Sequence, residues 1–301
     1  MTSTPASGPV GLPGHGDERP GLRVSRAQRR TRRRIFFGVV ALVVVLGTGG
    51  AVLALVTNQP PQHFVSGCTF ATGTTTKSGT PTYYALTPDQ AQNASVIAAV
   101  GIQKGLPDHA VTVALATAFQ ESQLENLNYG DLDSVGLFQQ RPSQGWGTPA
   151  QIENPVYAAT AFYDHLVLVQ GWESMPVTQA AQLVQVSASP DAYAQWAPEA
   201  RSLARALTGE VPAGLSCHLD GFGGVASSSS TFTTAATTEI GTPGFGVPVS
   251  ARRGWQVVAW AVAHAYNYHL TSVTFDGRLW TPSSGSWSGA PTSRSAVVVT
   301  P

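Results

Sequence analysis

The chain is short of charge and of cysteine. Only 11% of its 301 residues are charged, against 43% hydrophobic. That composition excludes a disordered protein, which has too few apolar groups to build a core. Cys68 and Cys217 are the two cysteines, and no C-x-x-C pair exists. The seven histidines show no ligand-like spacing. No metal site or cofactor is therefore expected. Net charge is also lacking, at +0, but unevenly so: eight of the 17 basic residues are arginines at or before Arg34. Beyond the apolar segment that follows, nine basic residues face 15 acidic ones, a balance of −6. A body of that sign gives nucleic acid no footing.

One apolar run stands out. Residues Ile35 to Val56 carry no charge and follow an arginine-rich stretch, Arg23 to Arg34. About 20 apolar residues suffice to span a bilayer as a helix, and flanking arginines keep their end in the cytoplasm. The expectation is a disordered basic tail over 1–34, then a transmembrane helix over 35–56. The main body lies outside the cytoplasmic membrane, and the alternative is a cleaved signal peptide. A single span with no charge inside it argues against a transporter. An exported body makes a Cys68–Cys217 disulfide the expectation over two separately buried thiols.

Composition divides the rest. Residues 57–84, rich in Thr, Gly and Pro, read as a spacer. A helical domain is expected over 85–217, with no strand recognised between the cysteines. Thr87-Pro88-Asp89-Gln90 has the form of a capping box with Pro in the first turn. Pro107-Asp108 opens the next helix and Asn154-Pro155 another. Two more are expected over Thr178–Val186 and Pro190–Leu207. Residues 218–250 read as a Ser/Thr/Gly linker and 251–282 as a small α+β unit. That unit has a helix over Trp255–His269 and a strand over Thr271–Phe275. His264 and His269 are expected to be packing residues. The last stretch, 283–301, reads as a disordered tail.

The chemistry gathers between residues 118 and 147. An apolar helical pattern (Val111, Val113, Ala114, Leu115, Ala118, Phe119) delivers Glu121 near a helix C-terminus. Helix polarity and apolar neighbours there both favour a protonated carboxyl, which suits a general acid. A loop follows, rich in Asn, Asp, Gly and Pro, and containing Gly136-Leu137-Phe138-Gln139-Gln140-Arg141.

Glu121-Ser122 followed by Gly136-Leu137-Phe138-Gln139 resembles the paired signatures of the lysozyme-like lytic transglycosylases. Resuscitation-promoting factors and goose-type lysozymes belong to the same superfamily. The resemblance covers roughly Pro107 to Leu166. It implies a mainly α, lysozyme-like domain that cleaves the β-1,4 bond between N-acetylmuramic acid and N-acetylglucosamine in peptidoglycan. Glu121 would be the acid and then the base. The muramic C6 hydroxyl would close a 1,6-anhydro ring, or water would attack with Asp131 or Asp133 as a second carboxylate. Ser122 would support the glutamate, and Gly136 to Gln139 would line the cleft floor. Gln140 and Arg141 offer groups for sugar hydroxyls, acetamides and carboxylates. Phe138, Trp146 and Tyr129 are aromatic faces for stacking. The family's third signature, Ala-Tyr-Asn, recurs as Ala265-Tyr266-Asn267, but beyond the linker, where it is read as chance. Tyr193, after Ala192, is the candidate for contacting the glutamate. The Trp255–Trp280 pattern resembles a small module of some actinobacterial wall hydrolases and is expected to bind wall or a partner. The alternative function is a non-catalytic, peptidoglycan-binding scaffold.

Overall fold

The helical body begins at the expected cap. In the computed structural model, which describes residues 66–75, 77–79, 81–187, 189, 191–220, 229–291 and 295–300, helix α1 spans Pro88–Gln103. The Thr87 hydroxyl accepts from the Gln90 amide at 3.1 Å, and the Gln90 side chain accepts from the Thr87 amide at 2.9 Å. Helix α2 spans Asp108–Ser122 and is buried on every side from Ala110 to Phe119. A helix apolar all round belongs in a core, and α2 packs against α1, α4 (Pro155–Leu166), α5 (Val177–Gln185) and α6 (Ala197–Leu207). A single turn, α3 (Pro149–Ile152), precedes α4. A 3-10 turn, Ala194–Trp196, leads into α6.

Strands appear where a spacer was expected. β1 (Gly67–Thr75) and β2 (Pro81–Leu86) form an antiparallel hairpin, with Phe70 opposite Tyr84. Thr, Phe and Tyr suit a pleated surface. Cys68, Phe70 and Leu86 turn into the core while much of the rest stays exposed, so the composition alone mimics a linker. β3 (Leu215–His218) pairs on the other side of β1, giving the order β2-β1-β3. In that register Cys68 faces Cys217, and the two form a disulfide.

The chain beyond β3 also corrects the expectation. The supposed linker contains α7 (Ser229–Ile240), whose Phe232, Ala236 and Ile240 are buried at a four-residue spacing. That spacing puts them on one helical face, a pattern the surrounding threonines obscure. Helix α8 (Ala251–Tyr268) packs against α1. A second sheet has the order β6-β5-β4-β7, with β4 at Ser272–Phe275, β5 at Arg278–Trp280, β6 at Trp287–Gly289 and β7 at Val298–Thr300. Two of these strands fall in the stretch expected to be a disordered tail. The sheet is bonded to β3: the Trp280 and Trp287 indoles donate to the Cys217 and Leu215 carbonyls at 3.1 and 2.9 Å. The described residues thus belong to one compact unit, Pro60–Pro301, and the expected accessory unit is part of its core. Helices dominate, eight among the described residues, beside a smaller strand-rich part.

The expected tail over 1–34 and span over 35–56 lie outside the described residues. Among the described residues no helix is long and apolar enough to cross a membrane.

Candidate functional site

Helix α2 ends just past Glu121, and its ending is built from both sides. Gln123 and Leu124 take left-handed backbones, with φ of 57° and 63°. Their amides close on the Phe119 and Ala118 carbonyls, both at 3.1 Å. From α1, Gln90 and Asn93 donate to the carbonyls of Gln123 and Leu124, each at 2.8 Å. Leu124 plugs into the core. Glu121, one turn back, is left half-buried.

Among the described residues, its carboxylate has one protein donor at close range. The Tyr193 hydroxyl donates to Glu121 Oε1 at 2.6 Å, and Tyr193 is fully buried. Burial first, then the hydrogen bond to Glu121, hold the Tyr193 phenol well above its ordinary ionisation range, so it remains a donor. The nearby Ser187 side chain acts on the same phenol in the opposite direction. The segment around Tyr193 is fastened to α2 at adjacent points. Gln195 and Trp196 donate to Gln120 Oε1, both at 3.0 Å, and the Phe119 and Trp196 rings stack at 5.3 Å. Tyr266 is elsewhere: it is 46% exposed on α8, and Asn267 bonds to Gln92 of α1.

The loop after α2 is gripped by its backbone. The buried Ser122 hydroxyl donates to the Leu137 carbonyl at 2.8 Å. Gln185 of α5 donates to the Phe138 carbonyl at 2.8 Å. Gln140, 2% exposed, donates to the Ala158 carbonyl of α4 at 3.1 Å, while its backbone pairs with Val135. Gly136 has φ of 78°, and a Cβ there would stand 2.7 Å from the Ile152 carbonyl oxygen, so both backbone and space call for glycine.

These contacts redraw several expected roles. Leu137 and Phe138 are fully buried, Phe138 stacked on Phe162 at 4.7 Å. They support the loop from beneath and offer a ligand no side chain. Gln140 is likewise a brace and is too buried to grip sugar. Gln139 donates to the Tyr129 and Gly136 carbonyls, both at 3.2 Å, closing the loop on itself. Arg141 pairs with Asp133 at 2.8 Å, and Ser143 donates its amide to Asp133 at 2.7 Å and its hydroxyl at 3.0 Å. The Arg141 guanidinium, then Ser143, hold the Asp133 carboxyl far below the usual carboxylate range. Trp146 packs on His165 with ring centres 4.0 Å apart, whereas Tyr129 is 67% exposed.

Sequence reading passed over Gln185, Ser187, Gln195 and Trp196, which reach the site only through tertiary contacts. Gln123, Leu124, Leu132, Gln139 and Val186 all have positive φ without being glycine. Such residues concentrate at functional sites. His264 packs as expected, fully buried with Nε2 at 2.9 Å from Glu239. Among the described residues no group of His, Cys, Asp or Glu is arranged to hold a metal ion. No family model matches this chain and no curated protein matches it, so the site is read on its geometry alone.

Proposed function

We propose that this chain is a membrane-anchored enzyme with a lysozyme-like domain that cleaves peptidoglycan glycan strands, using Glu121 as its single acid and base. One observation carries the reading: a half-buried carboxylate receives a 2.6 Å hydrogen bond from a buried phenol. The next residue, Ser122, is bonded to the glycine-rich loop. One carboxylate oxygen is thereby held, and the other remains for a proton transfer. Glu121 gives its proton to the bridging oxygen of the β-1,4 bond as the C1–O bond breaks. The carboxylate then takes a proton from the muramic C6 hydroxyl, whose oxygen bonds to C1 and closes the anhydro ring. Positioned proton transfer of this kind contributes roughly 10²–10⁴-fold to rate.

The engagement of Asp133 by Arg141 and Ser143 counts against Asp133, and leaves Asp131, as the second carboxylate of a hydrolytic route. The disulfide fits an oxidising compartment and so supports a body outside the cytoplasm, held by residues 35–56 with the N-terminus inside. The test uses the full-length chain purified in detergent and intact sacculi. Wild type should release muropeptides with anhydro ends, which lack one water relative to reducing ends by mass spectrometry. Glu121→Gln should release none, and Asp133→Asn should leave the kind of product unchanged. Sacculi that are bound but release nothing would replace this reading with the scaffold.

A further inference from the structure

Three consecutive residues at the end of α2 meet one short segment. Phe119 stacks on Trp196, with ring centres 5.3 Å apart and planes 9° apart. Gln120 accepts from Gln195 Nε2 and from the Trp196 indole, both at 3.0 Å. Glu121 accepts from the Tyr193 hydroxyl at 2.6 Å. Successive residues of an α-helix diverge by about 100°, so a segment meets all three only by lying across the helix. The 3-10 turn Ala194–Trp196 makes that crossing, and Tyr193 leads into it.

Gln120 sits in the middle of these contacts. Its carbonyl oxygen has two lone pairs, and two separate N–H donors point at that one atom. An amide nitrogen in its place would confront both donors, so the network fixes which end of the side chain faces the turn. The fit matters to Tyr193. An O–H···O hydrogen bond holds only between about 2.5 and 3.0 Å, so the phenol must be placed to within a few tenths of an ångström. Gln120 itself is only half-buried, so replacing it spares the core.

We infer that Gln120 is a positioning residue: its amide oxygen fixes the turn after Tyr193 so that the Tyr193 hydroxyl stays on Glu121. It acts through Tyr193 and does not touch the reacting atoms. The inference rests on the reading of Glu121 as acid and base.

The first measurement needs no activity. Full-length chain in detergent is treated with tetranitromethane, and nitration of each tyrosine is followed by peptide mass spectrometry. Tyr193 and Tyr163 are both fully buried, and the Tyr163 hydroxyl donates to the Ile97 carbonyl at 3.0 Å, away from the turn. Gln120→Met keeps the length and removes the acceptor. It should speed nitration of Tyr193 about tenfold, the combined worth of two modest hydrogen bonds, and leave Tyr163 protected. Trp196→Phe keeps the ring and removes one donor, and should give an intermediate rate. Gln120→Glu keeps the oxygen acceptors and should protect Tyr193 as the wild type does. Unchanged protection of Tyr193 in Gln120→Met, or equal exposure of Tyr163, overturns the inference. The second measurement is muropeptide release. Gln120→Met should lower it in the wild-type background and cost nothing further beside Tyr193→Phe, because the two act as one unit. An undiminished loss beside Tyr193→Phe also overturns the inference. A wild type that releases nothing removes the catalytic reading instead, and nitration then decides by itself whether Gln120 holds Tyr193.

Discussion

Ser122 Oγ donates to the carbonyl oxygen of Leu137 over 2.8 Å, tying the last residue of α2 to the loop that follows it. The hydroxyl also reaches the Ala118 carbonyl at 3.1 Å. Ser122→Ala leaves the Leu137 carbonyl without this donor in a buried setting. A lost buried partner costs about 1–3 kcal/mol. Urea denaturation should show a lower midpoint with an unchanged slope, and muropeptide release should fall as the loop loosens.

Tyr193→Phe keeps the ring in its buried place and removes only the donor to Glu121. The fold should persist, since a single intramolecular hydrogen bond contributes only about 0.5–1.5 kcal/mol net. Release from sacculi should fall at least about tenfold, the loss of roughly 1.4 kcal/mol of transition-state stabilisation. Activity equal to wild type would remove Tyr193 from the site.

The disulfide joins residues 149 apart in sequence across paired strands. Closing so long a loop stabilises by roughly 5 kcal/mol in the chain-entropy model. Reduction, or the double substitution of Cys68 and Cys217 by alanine, should lower Tm markedly. The effect should survive high salt, because it is not electrostatic.

Acid should weaken the attachment of α7 and α8. Burial alone would raise the Glu239 carboxyl, but its hydrogen-bonded contact with His264, then the Trp260 indole, bring it below its ordinary 4.5. A carboxylate lowered in the folded state contributes stability in full above its unfolded value and loses it as pH falls through the folded one. Glu239→Gln should therefore be less stable than wild type at neutral pH. The gap should shrink as pH falls below about 4.5, the unfolded reference of the group. A gap that stays constant down to acid would exclude a stabilising Glu239 carboxylate.

What was legible in the sequence was local. The Thr87–Gln90 cap and the apolar run before Glu121 depend on neighbours within a turn or two, and the structure places helices there. Hairpin β1–β2 was missed because its inward face alternates behind threonines that resemble a spacer. Leu137, Phe138 and Gln140 read as ligands because their letters do not tell whether a side chain turns toward solvent or core.

The sequence by itself determined where α1, α2 and α4 start, and that two cysteines were available to pair. Only the tertiary structure decided that Tyr193, 72 residues away, delivers its hydroxyl to Glu121. It also decided that Arg141 occupies Asp133, and that the C-terminal helix and sheet are built into the core. The physical reason is the same throughout. Caps and periodicity are satisfied within one segment, whereas these contacts exist because distant segments exclude water together around one core.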